Sequence, residues 1–473
     1  MAGKRKTNAA GSSNGLRGDV LRALGVLKVA TADQMQRLCS PHLTYRHTLK
    51  KTASVRKEAR TASHRGAAND LRRHGLSVDG GRTRGGEEVR LLTATGLEAA
   101  GIELDRIPQE MGGMPKTAGR SGASHAMTVN ETVIAMIRPK PDLDQLTKEP
   151  AEAQVAARAA VDAPEGIGTL VSYATEVGLP ATGTWKNPGI GSAWADIVLI
   201  APESGVPLLF IEADNCTEEA VLIAAKFDKY MRFYQRTVKD TDGKERPMWR
   251  TRWPVPQHRF DDASHPPVLL VFHQFGKRSA TGQMKTVAGL TRQHWQGAWD
   301  SEYGFHTYDG KIPIVATTLE SLREHGPAGP AFWRFGRRGR QSLLDAIGNP
   351  RRHAALTRAV EQREAEAGRR AEEEVAEQEA RRPVCEGCGT KFTDDRWKAV
   401  DTGGWGRWET HPHLCDDCKA LAVKSRHRAE LAAREEAAAE EARALEEEHR
   451  RMDEEAAAER KARRFPFPFR SRP

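Results

Sequence analysis

The chain lacks any long apolar segment. No apolar run approaches the roughly 18 residues that a membrane-spanning helix needs, so we expect none. The first residues, MAGKRKTNAAGSSNG, also lack the apolar core of a secretory signal. They predict a basic, disordered arm over residues 1–15. The cytoplasm is therefore the expected compartment.

Cysteine is scarce, with 6 residues among 473. Without a secretion signal, a disulfide-built fold is not expected. Four of the cysteines form two Cys-x-x-Cys pairs, Cys385 with Cys388 and Cys415 with Cys418. Two such turns place four thiolates for tetrahedral zinc, so the sequence predicts a structural Zn²⁺ site.

Between the two cysteine pairs, polar and apolar residues alternate as in a small ribbon of strands, and aliphatic residues are few. A domain this small would depend on metal for its stability. His411 and His413 precede the second pair and could replace a cysteine as ligand. Zinc ribbons bind DNA, bind protein or hold helices together, and the sequence does not choose among these roles.

Leucine is sparse in the two long segments that flank the cysteines, residues 354–381 and 422–464, which are rich in Ala, Glu and Arg. A sustained coiled-coil seam is therefore not expected. Solvated charged helices, stabilised by pairs four residues apart, are the interpretation that we prefer. The terminal residues FPFPFRSRP predict a disordered tail.

Acidic residues are in the minority, with 64 Asp and Glu against 73 Lys and Arg, for a net charge of +9. Between His42 and Arg90 there are 12 basic and 5 acidic residues, a surplus of 7. Most of the excess positive charge thus lies in one short region. A polyanionic partner is favoured, with double-stranded DNA first.

The region Leu16–Gly101 has the element order of a winged helix. A helical segment is followed by a second helix that opens on a Thr31–Gln34 capping box, and then by a basic helix within Ser54–His74. Two short strands around a glycine-rich turn complete the order. The predicted DNA contacts are Arg56, Lys57, Arg60, Arg72 and Arg73 on or near the basic helix, and Arg82 and Arg84 on the wing.

Residues 170–333 alternate strand and helix patterns, and carboxylates end two of the strands. Asp196 lies in WADIVLIA, and Glu212 and Asp214 end LLFIEAD on one face, by the two-residue period. Lys226 and Tyr230 follow on one stripe of a helix. Asp196, Glu212 and Asp214 predict a site for Mg²⁺ or Mn²⁺ of the kind that cleaves phosphodiesters, with the lysine orienting water. Alternatively, they are ordinary strand-end carboxylates.

The order of these residues resembles the PD-(D/E)XK nuclease superfamily. The resemblance implies that Glu131 is the glutamate of the N-terminal helix, Asp196 the strand aspartate and Glu212 the second metal ligand. The sequence departs from the motif where AWAD replaces Pro-Asp and where Asp214 occupies the position of the lysine. Lys226 would be that lysine, moved to the helix.

A more specific resemblance covers residues 16–335, through LRALGVLKVATADQMQRL, LRRHGL, SHAMTVNETVIAMI and ADIVLI–FIEAD–KFDKY. The chain is similar to the replication-relaxation family of actinobacterial plasmids and integrative elements, some of whose members are treated as MOB-C-type relaxases. The resemblance implies DNA relaxation or nicking by a metal-activated water or a tyrosine, Tyr230 being the first candidate. Replication or conjugation proteins are then expected partners. A two-histidine relaxase is rejected, since the His-x-His at His411 lies within the cysteine region.

Together these patterns predict a multidomain α+β protein with an N-terminal winged helix, a central α/β restriction-endonuclease-like domain, and charged helices around a zinc ribbon. A non-catalytic DNA-binding initiator or regulator is the alternative function, and an adaptor is a third. The predicted divisions are an arm (1–15), a winged helix (16–105), a linker (106–124), a nuclease-like domain (125–340), a charged helical segment (341–383), a zinc ribbon (384–420), a charged helix (421–465) and a tail (466–473).

Overall fold

The computed structural model describes residues 12–114, 123–239, 242–256, 260–274, 278–401 and 409–462. Over these ranges the chain is a mixed α+β protein with several sheets. It divides into two compact units, one up to Val360 and the other from Glu361. In the described ranges, no helix combines the length and the apolar character needed to cross a bilayer. The predicted terminal arm and tail fall largely outside these ranges.

The N-terminal part of the first unit consists of four helices and a small antiparallel sheet in the order β1-β3-β2. The predicted Thr31–Gln34 capping box is confirmed at the start of the second helix. The basic helix is confirmed too, and it ends before Gly75, whose φ of +73° suits glycine. The elements are α1 (Asn14–Leu27), β1 (Val29–Thr31), α2 (Ala32–Cys39), α3 (Ala53–Arg73), β2 (Ser77–Arg82), β3 (Glu88–Leu92) and α4 (Ala94–Glu103).

The hairpin of β2 and β3 contains a β-bulge. Asp79 pairs with Arg90 and Arg82 pairs with Glu88, so β2 has one residue more than β3 between the two pairs. Gly81, within this interval, has a φ of +87°, a conformation that glycine adopts without strain. A bulge bends and twists a strand, and here it sets the direction of the hairpin tip.

The centre of the first unit is a six-stranded sheet in the order β13-β12-β9-β6-β5-β4. The strands β6, β9 and β12 are parallel, and β4, β5 and β13 are antiparallel to their neighbours. The elements are α5 (Ala123–Ile137), α6 (Ala151–Asp162), β4 (Tyr173–Leu179), β5 (Ala193–Ala201), β6 (Val206–Asp214), α7 (Ala220–Gln235), β7 (Thr237–Lys239), β8 (Glu245–Pro247), β9 (Val268–Phe272), α8 (Ala280–Leu290), α9 (Arg292–Trp295), β10 (Ala298–Asp300), β11 (Phe305–Thr307), β12 (Ile314–Thr318), α10 (Leu319–His325), β13 (Trp333–Arg334) and α11 (Leu343–Ile347).

The sheet is covered on both faces by apolar packing. On one face a single cluster joins Leu24 of α1, Val133 of α5 and Ile211 of β6. On the other face Phe210 of β6 packs with α7 and α8 in a second cluster. The N-terminal helices therefore share a core with the sheet instead of forming a separate domain joined by a flexible tether.

Two segments outside the central sheet are packed into this unit. Within 106–124, predicted as a linker, Met111 is buried in the first cluster, while residues 115–122 lie outside the described ranges. Between β8 and β9, Trp249 and Trp253 are buried in the second cluster, because large indole rings gain much from burial.

The second unit consists of charged helices and the cysteine segment. Helix α12 (Pro350–Ala380) continues into it, followed by α13 (Asp394–Asp401) and α14 (Asp416–Ala462). The predicted charged helices are thus confirmed, and nearly all of their described side chains are exposed. The ribbon prediction is wrong over residues 394–401, where α13 forms instead of a strand. Thr393 caps this helix, because its hydroxyl oxygen accepts the N–H of Arg396 at 3.2 Å.

Candidate functional site

Two carboxylates lie side by side where strands β5 and β6 part. The last paired residues are Ile197 and Ile211. Immediately beyond them, Asp196 Oδ2 accepts the backbone N–H of Ala213 at 2.8 Å. This bond fixes the Asp196 side chain against the strand that carries Glu212. The turn between the two strands therefore brings these residues together, as the sequence predicts.

Glu212 is buried, with 4% of its side chain exposed, and both of its oxygens accept hydrogen bonds from α7. Lys226 Nζ lies 3.2 Å from Oε2, and Tyr230 Oη donates to Oε1 at 2.7 Å. The predicted stripe of these two residues on one helix face is confirmed. Burial raises the pKa of Glu212 to about 7, against the opposing charge of Lys226, and the charge of Asp196 contributes to the rise.

His125, which sequence reasoning missed, completes this acidic cluster. It lies in the first turn of α5, and its Nε2 is 3.2 Å from Asp196 Oδ1. Burial would lower the pKa of His125, but the hydrogen bond and charge of Asp196 raise it to about 9, so the ring is cationic at neutral pH. The available signal was polar residues at helical spacing, His125 and Thr128, on the helix that also carries Glu131.

Asp214 has a different role from the predicted one. Its Oδ2 accepts the N–H of Cys216 at 2.8 Å, in a turn where Cys216 has a φ of +57°. Burial raises the pKa of Asp214. Within the described ranges, no three carboxylates bring their oxygens within mutual reach of one ion. The structure thus brings Asp196 and Glu212 together, whereas Asp214 holds the turn that follows β6.

Glu131 lies outside the acidic cluster and links three helices. Its Oε2 accepts Arg37 Nη1 of α2 at 3.0 Å and Arg323 Nη2 of α10 at 2.6 Å, and Gln34 donates to Oε1 at 3.1 Å. Burial would raise the pKa of Glu131, but the hydrogen bonds and charge of Arg37 lower it to about 2. Its position matches the helix glutamate that the nuclease resemblance implies, but its carboxylate serves the packing of the N-terminal helices on the sheet.

We predict that Glu131→Gln destabilises the protein by on the order of 3 kcal/mol at pH 7, the equivalent of the pKa depression. A depressed carboxyl pKa stabilises the fold above the unfolded value of 4.5, and this contribution is lost as pH falls toward 2. The difference in unfolding free energy between the parent and the variant should therefore be constant from neutral pH down to about 5.5 and should shrink below about 4.5. Urea denaturation across this range measures it. The exposed Glu98→Gln is the control, and a pH-independent deficit would contradict the ion-pair account.

The N-terminal part of the basic helix is occupied by internal ion pairs. Lys57 contacts Glu87 of the hairpin, and Arg60 contacts Asp33 of α2. Only 16% of the Arg60 side chain is exposed. Arg56, a half-buried residue, donates to a backbone carbonyl at 3.2 Å. The charges of two predicted DNA contacts, Lys57 and Arg60, are therefore partly neutralised by acidic residues of the protein itself.

The other predicted DNA contacts are exposed. Arg72 and Arg73 lie at the C-terminal end of α3, where Arg73 pairs with Asp70 at 2.9 Å. Arg82 and Arg84 lie at the hairpin tip, and 67% of the Arg82 side chain is exposed. These four arginines remain available to a polyanion.

The hairpin and the acidic edge of the sheet line the same cleft, which has a volume of about 1020 Å³. Arg82 and Arg84 lie on one side, and His125 and Asp214 lie on the other. Glu131 forms part of the wall between them. The hairpin and the residues that follow β6 thus share one cleft, which His125 links to the acidic cluster through its contact with Asp196.

The four predicted zinc ligands come together in the second unit. The sulfurs of Cys385, Cys388, Cys415 and Cys418 lie within 4.8 Å of one another. The N–H of Cys415 donates to the Cys385 sulfur at 3.2 Å, and the N–H of Cys418 donates to the Cys415 sulfur at 3.5 Å. The second pair lies at the start of α14, where backbone N–H groups favour thiolates. This donor set fits a tetrahedral metal such as zinc.

The rest of the cysteine segment is held by a buried arginine. Arg396 of α13 is 2% exposed, donates to the carbonyl of Leu414 at 2.8 Å and pairs with Glu409 at 3.0 Å. The cluster itself comprises cysteines alone, and His413 is largely exposed. Replacement of a cysteine ligand by a histidine is therefore not needed.

We predict that the purified full chain contains one equivalent of zinc, and that Cys388→Ser and Cys418→Ser each lose most of it. Removing one thiolate leaves an incomplete tetrahedral set. Metal analysis of protein prepared without chelator gives the stoichiometry. Cys39→Ser, which changes a cysteine outside the cluster, is the matched control and should retain the metal. Zinc near zero in the parent chain would reject the site.

The structure thus defines a mixed α+β protein with an acidic edge on its central sheet and a four-cysteine cluster able to hold a metal. Residues 21–245 match the family described as replication-relaxation, and this region of the chain is similar to that family. The matched range includes the cleft hairpin, His125 and the acidic cluster, but not the four-cysteine cluster. The similarity supports a replication-related role. Neither the curated proteins nor the solved structures gave a significant match.

Proposed function

We propose that this protein binds DNA and nicks or relaxes it at a divalent-metal site formed by Asp196 and Glu212. The supporting observation is that Lys226 points into the carboxylate pair, with its Nζ 3.2 Å from Glu212 Oε2. A nuclease of this type needs a lysine at its carboxylates, and α7 supplies one in place of the residue at Asp214. A lysine directed to solvent would have favoured binding alone.

The donors present fit Mg²⁺ or Mn²⁺. Mg²⁺ is commonly held by one or two protein carboxylates, with water and substrate phosphates completing its coordination. Asp196 and Glu212 supply two adjacent carboxylates, and their mutual repulsion is of the kind that a cation relieves. When bound, such an ion neutralises charge on the phosphate and lowers the pKa of an attacking water. Asp214 would support the turn.

The side chains around the pair take separate roles in this proposal. Lys226 orients the phosphate or the water, and the His125 imidazolium faces the cleft, where it can protonate the leaving oxygen. The water oxygen would bond to phosphorus and release its proton to solvent as the phosphorus–oxygen bond to the leaving group breaks. Tyr230 is fully buried and its hydroxyl donates a hydrogen bond to Glu212, so it positions Glu212. We therefore prefer water to Tyr230 as the nucleophile.

DNA recognition is assigned to the N-terminal unit, whose element order is that of a winged helix. Its charge surplus and the exposed arginines at the end of α3 support contacts to duplex phosphates. Arg56 and Lys57 lie at the other end of the same helix, and Arg60 lies close by. Cytoplasmic location, and replication or conjugation proteins as further partners, belong to the same proposal.

A second function, a non-catalytic DNA-binding initiator or regulator, is favoured by one observation. Both carboxylates of the pair already have cationic partners from the protein, His125 for Asp196 and Lys226 for Glu212. Such a cluster can be stable without any metal ion. The two functions therefore differ in whether a cation binds and cleavage follows.

We predict that Mn²⁺ raises the melting temperature of the parent chain and supports nicking of supercoiled plasmid, and that Asp196→Ala abolishes both effects. A ligand at about 100 times its Kd stabilises a protein by about 2.7 kcal/mol, which a thermal melt resolves. Glu203→Ala is the matched control, since this exposed carboxylate lies at the opposite end of β5. It should behave as the parent does.

The result separates the two functions. Plasmid that stays supercoiled, together with a melting temperature that Mn²⁺ leaves unchanged, would exclude the metal nuclease and leave the DNA-binding regulator. Stabilisation by Mn²⁺ that persists in Asp196→Ala would place the ion elsewhere. DNA binding by Asp196→Ala at parent affinity would show that the variant is folded.

A further inference from the structure

The cleft has a cationic hairpin on one side and acidic residues of the sheet edge on the other. A winged-helix hairpin that only contacts duplex DNA does not require such an acidic edge opposite it. Residues 80–85 and Glu87 of the hairpin line one side. Ala213, Asp214, Asn215, Thr217 and Glu218 line the other side, beyond the end of β6. A hairpin that only touched duplex phosphates would project away from the catalytic edge. This one faces it.

The backbone of the hairpin accounts for its direction. The bulge between Asp79 and Arg82 bends β2 just before the tip, and Gly86, with a φ of +83°, closes the turn. Lys57 holds Glu87, at the base of the turn, against α3. Because α3 shares the core with the sheet, the tip is held in place over the cleft.

The charges of the cleft are arranged for a phosphate chain. On the hairpin side the acids are neutralised, Glu87 by Lys57 and Asp33 by Arg60. Arg82 and Arg84 extend from this side at the tip. The opposite side carries Glu218, which pairs with Lys226 at 3.4 Å, and Asp214, whose carboxylate would repel phosphates from that side. A strand in the cleft would therefore run its phosphates along the hairpin arginines.

The size of the cleft selects the form of nucleic acid. Its volume, about 1020 Å³, is at the upper end of the roughly 300–1,000 Å³ typical of small-ligand sites. A few nucleotides of a single strand match a space of this size, whereas a duplex is better matched by a helix such as α3, which a major groove about 12 Å wide admits. His125 and His273 supply rings on which bases can stack.

We propose that the hairpin and the acidic edge clamp one strand of unwound DNA between them, with Arg82 and Arg84 as the phosphate contacts. This inference rests on the proposed function for its substrate, since a strand in the cleft passes His125, which contacts Asp196 of the proposed metal site. It assigns duplex contacts to α3 and single-strand contacts to the hairpin. The hairpin arginines then have a different role from the wing contacts to duplex phosphates that the sequence predicts.

The test compares two matched double variants of the full chain, Arg82→Ala with Arg84→Ala on the hairpin and Arg72→Ala with Arg73→Ala on α3. Each removes two positive charges from an exposed site. Fluorescence anisotropy measures the affinities for a labelled oligo(dT) strand and for a labelled linear DNA duplex, in buffer without Mg²⁺ or Mn²⁺. Without these ions, binding is measured whether or not the protein is a nuclease.

We expect the hairpin variant to lose at least about tenfold of its single-strand affinity, and its slope of log K against log salt to fall by about 1.4, or 0.7 for each phosphate contact. Its duplex affinity should change by less than about twofold. The α3 variant should show the reverse pattern. Arg82→Lys with Arg84→Lys should restore most of the single-strand binding, which a misfolded hairpin would not do.

Two results would overturn the clamp. One is single-strand binding by the hairpin alanine variant at parent affinity, and the other is an equal loss for both forms of DNA, which is the behaviour of a groove-binding wing. Failure of the nuclease gives a different pattern, in which the parent chain leaves plasmid intact while the hairpin still controls single-strand affinity. Plasmid nicking with no hairpin effect on binding would retain the nuclease and reject the clamp.

Discussion

The apolar contact between the N-terminal helices and one face of the six-stranded sheet is the constraint on which the rest of the first unit depends. Leu24 and Ile211 belong to one continuous cluster of buried side chains. Dense packing of this kind leaves little freedom for rigid elements to slide. The hairpin and the residues that follow β6, which are distant in the sequence, therefore line one cleft, together with His125, the partner of Asp196.

Ion pairs refine this arrangement. Glu131 sits between Arg37 and Arg323, so a carboxylate that is 17% exposed has two partly exposed cationic partners at the junction. Breaking such a group by removing one partner costs far more than the group contributes over an apolar replacement. The group therefore favours one relative placement of the helices. Lys57 and Arg60 form similar ion pairs within the protein. The surplus of basic residues counted in the sequence is therefore larger than the positive charge that remains available to DNA.

The acidic edge shows how burial converts ordinary residues into a reactive set. Glu212 would be unremarkable at a solvent-exposed strand end, where water screens its charge. Under α7 it depends on Lys226 and Tyr230 for hydrogen bonds, and its pKa lies near neutrality. Asp196 uses His125 in the same way. The edge holds two carboxylates and two cations in a small volume, so bound phosphate or metal must shift the balance among them.

Much of the local structure followed from the sequence. The capping box at Thr31, the basic helix and its end before Gly75, the strands that carry Asp196 and Glu212, the stripe of Lys226 and Tyr230, and the four cysteines were all predicted and are present. Periodicity, capping residues and ligand spacing act over a few residues, so one segment contains the information needed to read them.

Contacts between distant segments were decided by the tertiary structure alone. His125 joined the acidic cluster, Asp214 turned toward Cys216, and Glu131 became a packing residue, because each depends on which helix lies against which strand. A carboxylate in a sequence has no assigned partner, and in a fold its partner is set by burial and by the nearest cation or N–H group. The sequence by itself determined which elements and reactive side chains the protein has. The shared core decided which of them meet, since only packing fixes distances across the chain.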